Sequence, residues 1–127
     1  MARRLGSGFG IFLIVVAACS ASHAQTGNPT EQEECLFQAE CLRLKATAHY
    51  YLSGPALDKE LDRLDQDYRH RMGRPFHFGS NRLADFGRQR KASELYELYV
   101  TTRDPEVYKK LLMLLQEIQS ACYAPKQ

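Results

Sequence analysis

The side chains of this sequence best suited to chemistry are its histidines, cysteines and clustered aspartates, and their spacing argues against most of what they could do. His49, His70 and His77 include no two at the i, i+3 or i, i+4 separation that sets a pair of ligands on one helical face, and no His-Glu-x-x-His occurs. No metal site is expected. Asp58, Asp62 and Asp65 fall at helical spacing, but Lys59 and Arg63 lie among them, which predicts a solvated, self-neutralised face. The run Asp62-Arg63-Leu64-Asp65-Gln66-Asp67 lacks the central glycine and closing glutamate of a calcium loop. Cys41 as a nucleophile would need a base, and His49 lies more than two helical turns away. With no Cys-x-x-Cys-His, Gly-x-Ser-x-Gly or phosphate-cradling glycine loop either, the sequence predicts neither an enzyme nor a bound cofactor.

A different kind of site is suggested between Arg69 and Arg90. Arg69, Arg71, Arg74, Arg82, Arg88 and Arg90 surround Phe76-His77-Phe78, which stands between Gly73 and Gly79. Arginine and aromatic side chains are the types enriched where proteins bind one another, and a glycine-flanked loop can present them. Arg69, Arg71, Arg74, Phe76, His77, Phe78, Arg82 and Arg88 are therefore the candidate binding residues. The alternative is that Phe76 and Phe78 cap the core from below while the arginines pair with acids elsewhere in the chain. Tyr50, Tyr51, Tyr96 and Tyr99 read as core and core rim.

Charge is arranged so that such pairing is available. Residues 31–68 carry nine acids and four bases, whereas residues 69–91 carry seven bases and Asp85 alone as acid. Over the whole chain there are 17 basic and 15 acidic residues, and two of the bases, Arg3 and Arg4, precede an apolar run from Phe9 to Ala18. This start reads as an export signal spanning residues 1–24, with the small residues of Ser22-His23-Ala24 marking cleavage before Gln25. Removing it leaves the remainder charge-balanced, so a nucleic-acid-binding body is not expected. A second processing route overlaps the first. Val16-Ala17-Ala18-Cys19 fits a lipobox, and only lipidation at Cys19 would place the protein on a membrane, because the apolar run is shorter than the ~20 residues a span needs.

The segments that must position the candidate residues are predicted to be helices. Residues 25–30 read as a flexible lead-in, 31–123 as one helical domain and 124–127 as a tail. Thr30 with Glu33 forms a capping box opening a helix to about Leu52, whose wide apolar stripe suits packing on two neighbours. Leu57, Leu61, Leu64 and Tyr68 mark a second helix with a narrow buried face, ended by Gly73 and Pro75. A third helical region spans Arg82 to Val100 with Gly87 interrupting its start. In the last, Asp104 caps, Pro105 takes the first position, and Val107, Leu111, Leu114, Leu115, Ile118 and Cys122 form a continuous apolar face. The fold class is all-α, a small antiparallel bundle of about four helices with the first and last at its centre.

So small a core gains from a covalent staple. Cys35 and Cys41, six apart in one helix, are held about 9 Å apart along its axis and cannot bond each other. Either could reach Cys122; Cys35 is expected, because it shares with Cys122 the main apolar stripe of its helix, and an oxidising compartment would preserve the bond. The whole points to a periplasmic or secreted protein acting on a protein partner, such as an accessory factor of an envelope apparatus, a pilotin-like chaperone, or an immunity or inhibitor protein. The alternatives are a lipid-anchored form with the same role and a small enzyme or ligand carrier with a site between helices.

Overall fold

The computed structural model describes residues 30–79 and 81–123. The expected leader, the Cys19 lipobox and nearly all of the lead-in and tail lie outside them. Within the described residues the chain is all-helical, with α1 (Glu31–Tyr51), α2 (Gly54–Met72), α3 (Phe86–Thr102) and α4 (Pro105–Tyr123) forming a small single domain.

Local chemistry sets the helix ends. The Thr30 hydroxyl accepts from the Glu33 N–H at 3.0 Å, and the Glu33 carboxylate accepts from the Thr30 N–H at 2.9 Å, completing the capping box that starts α1. Gly73 closes α2 in the left-handed region at φ 77°, its N–H donating to the Arg69 carbonyl at 2.8 Å. Asp104 caps α4 by accepting from the Glu106 N–H at 2.9 Å.

The third helix departs from expectation. It begins at Phe86, not Arg82, because the Asp85 carboxylate caps it through the Arg88 N–H at 2.9 Å. Gly87 sits inside the first turn without breaking it, and Arg82–Ala84 form a turn and bend instead.

Packing distributes the helices unequally. α1 packs against each of the other three, α4 against α1 and α3, and α2 lies on α1. The main core joins Cys35, Ala39, Leu42 and Ala46 of α1 to Ala92, Leu95 and Tyr99 of α3 and to Val107, Leu111, Leu115, Ile118 and Cys122 of α4. A second, smaller core lies on the other side of α1, where Cys41 meets Tyr68 and Met72 of α2 beside Phe37. This explains the width of the α1 stripe: it serves two cores. The Cys35–Cys122 disulfide links the first turns of α1 to the last turn of α4, and the Gln32 amide donates to the Cys122 carbonyl beside it at 3.3 Å.

Tyr50 and Tyr51 correct the expectation of core and core rim, being 47% and 73% exposed. They occupy the last turn of α1, where the chain turns away at Leu52. There Tyr50 finds a stacked partner in Tyr108 of α4, with centroids 4.5 Å apart, and the Tyr51 ring meets the Tyr50 ring edge to face at 5.0 Å.

Candidate functional site

The connection from Gly73 to Asp85 folds back over the N-terminal half of α1 and is anchored from within. Phe76 packs against both cores at once: its ring meets Tyr68 edge-on at 5.2 Å, and the Lys45 ammonium lies 4.8 Å from its centroid. Lys45 is held there by Asp65 of α2 at 2.8 Å. Phe78 and Leu83 pack against the main core.

A buried polar clasp then fixes the rest. Gln89 of α3, 1% exposed, donates to the carbonyls of Asn81 at 2.7 Å and Ala84 at 3.0 Å while accepting from the Asn81 N–H at 3.1 Å. The Asn81 side chain accepts from the Leu83 N–H at 2.8 Å and donates to the Glu31 carbonyl at 3.4 Å. Every one of these groups would be costly to leave unpaired, which ties the Asn81–Ala84 stretch to α1 and α3.

Between this connection, α1 and the end of α2 lies a polar cleft of about 340 Å³. Its lining includes the buried residues Gln38 and Tyr68. Two ion pairs between segments distant in sequence flank it, Arg74 with Glu34 and Arg82 with Glu31, and His77 and Asn81 complete the rim with Pro75. The acid-rich and base-rich halves of the sequence thus meet face to face at this place.

The candidate residues divide accordingly. Arg74, His77 and Arg82 come together around the cleft, with Phe76 and Phe78 turned inward as anchors. Arg71 instead pairs with Asp67 at 3.2 Å and lies over the Phe37 ring, Arg88 reaches Glu117 of α4 at 3.7 Å, and Arg69 is exposed on α2 without an ion-pair partner among the described residues. Glu31, Glu34, Gln38, Tyr68 and Asn81 are the lining residues that the sequence did not single out. The two glutamates were legible only as acids favouring the start of α1, and nothing in the sequence assigns Gln38 or Asn81 to a cavity.

The other titratable groups lie apart. Burial pushes the Cys41 thiol up to about 12, the reverse of what an activated nucleophile needs. His49 is buried edge-on against Tyr96 at 5.8 Å, its Nδ1 without a hydrogen-bond partner among the described residues. Among those residues no three His, Cys, Asp or Glu side chains cluster to hold a metal ion, and no helix is long and apolar enough to cross a membrane. No protein-family model matches the chain, and no curated protein or solved structure is significantly similar to it.

Proposed function

We propose that this chain is an exported, disulfide-stapled helical protein that acts by binding a protein partner through the face built from Gly73 to Asp85. The observation that carries the reading is the anchoring of that face: Phe76 and Phe78 point inward, the Asn81–Gln89 clasp holds the backbone, and Arg74, His77 and Arg82 stand outward around a polar cleft. A surface already ordered before binding loses little conformational entropy on association, which favours its use as a recognition element. Export is supported by the leader-like start of the sequence and by the Cys35–Cys122 bond, which suits an oxidising compartment.

Capture from the envelope fraction of the native host, comparing wild type with Arg74→Glu and His77→Ala, tests the reading. Both side chains are exposed, and because Arg74→Glu also sets a second carboxylate beside Glu34, a thermal melt of each variant checks that the fold persists while a specific partner is lost. A partner that both variants retain at wild-type affinity rejects this face as the binding surface.

A further inference from the structure

We infer that the polar cleft between α1, the end of α2 and the 73–85 connection is a binding site for a small zwitterion, of the free amino acid or short unblocked peptide class. The inference stands on the cleft itself and does not require a protein partner. At about 340 Å³ it has room for roughly ten waters and sits at the small end of the range for ligand pockets. Those pockets are usually apolar with a few polar groups. Beside Pro75 and the hydrocarbon stems of its side chains, this one gathers two carboxylates, two guanidiniums, an imidazole, two amides and a phenol, which suits a ligand that bears charge.

The two flanking pairs decide which charges. The Glu34 side chain is 16% exposed, whereas its partner Arg74 is 59% exposed. An ammonium entering the cleft can therefore take over Glu34 while Arg74 swings outward into water at little cost. The freed guanidinium then offers a bidentate seat to a carboxylate on the same ligand, and Arg82 with Glu31 repeats the same pairing of signs at the rim. A ligand carrying only an anion would take Arg74 and strand the sheltered Glu34 carboxylate, which is unfavourable. A ligand carrying only a cation satisfies Glu34 but gains nothing from Arg74. Affinity should fall in the order zwitterion, cation, anion.

Amide chemical shifts of the full chain, titrated with alanyl-alanine, its C-terminal amide and its N-acetyl derivative, test the order. Alanyl-alanine should move the resonances of Glu34, His77 and Asn81, with the amide form weaker and the acetylated form at least about tenfold weaker. Glu34→Gln should abolish the response. Arg74→Ala supplies a check that misfolding does not imitate: by removing the competitor for Glu34 it should make the C-terminal amide bind more tightly than it binds wild type. The inference is overturned if the acetylated dipeptide binds as well as the free one, if shifts fall outside the cleft or are absent, or if Arg74→Ala weakens binding of the amide.

Discussion

The side chain of Gln89 pairs with the peptide group of Asn81 as one strand pairs with another, accepting from its N–H at 3.1 Å and donating to its carbonyl at 2.7 Å. Both residues are buried, and the contact joins α3 to the connection that carries the cleft. A glutamine is used here as a backbone surrogate: it satisfies the polar groups of a non-helical segment that crosses the core edge.

Replacing Gln89 with leucine keeps the volume and removes that surrogate. Buried groups left unpaired cost about 1–3 kcal/mol each. Gln89→Leu should therefore lose about 2 kcal/mol or more, lowering Tm by about 8–16 °C for a domain of this size. Calorimetry reads the loss, and hydrogen exchange at the Asn81 amide should accelerate; an unchanged melt would mean that the connection is held by its aromatics alone.

Phe76 separates an anchor from a contact residue. Its ring joins the main core to the Tyr68 and Cys41 core and receives Lys45, so Phe76→Ala should destabilise by about 2–3 kcal/mol, with Phe76→Leu recovering most of it. His77→Ala, one residue on and exposed, should stay within about 0.5 kcal/mol of wild type in urea unfolding. If the two alanine variants prove equally mild, Phe76 is not the link between the cores.

The staple and the third cysteine should behave oppositely. Cys35 and Cys122 close a separation of 87 residues, for which the chain-entropy model gives a stabilisation of about 4–5 kcal/mol. Reduction, or the double change to alanine, should lower the unfolding free energy extrapolated from denaturant titration by that amount. Cys41 is buried and its thiol is pushed to about 12, so iodoacetamide at neutral pH should leave it unmodified in the folded protein and label it only after unfolding. Mass spectrometry distinguishes the two states. Rapid labelling of native protein would show that α2 opens readily from α1.

How much of this was legible in the sequence follows from what periodicity encodes. The helices, the Thr30–Glu33 box, the Asp104–Pro105 start and the Cys35–Cys122 pairing rest on local chemistry or on a repeated apolar face, and each is present in the structure. A face does not say which neighbour covers it. Hence α1 read as a broad stripe without showing that Cys41 and Ala39 serve different cores, and Tyr50 and Tyr51 continued the stripe past the point where neighbours remain to bury them. The segregation of charge announced that pairing was available, but not that Arg74 would choose Glu34 and Arg82 Glu31. Asn81 and Gln89 were silent, since a buried polar clasp in a non-periodic segment has the composition of an ordinary surface loop.

His49 supplies the last prediction, a dependence of stability on pH. Burial lowers its pKa below the usual 6.5, and the positive charges of Arg103 and Lys45 lower it further. The Arg103 guanidinium donates to the His49 carbonyl at 2.7 Å, Tyr96 of α3 faces the ring, and Asp65 is occupied by Lys45, so no carboxylate in these contacts rescues a protonated imidazole. Because the folded value lies below the unfolded one, the unfolded chain binds the proton first as pH falls. The contribution of neutral His49 is thus complete above about pH 6.5 and is lost as pH drops from there toward the folded value. Glu40, whose carboxyl is lowered by its Arg43 partner, acts in the same direction but only near and below its ordinary 4.5, a separate window. Tm should accordingly decline as pH falls below about 6.5 in the wild-type protein and decline less in His49→Leu. Equal slopes for the two proteins would show that His49 takes up its proton without opening the helix interface around it.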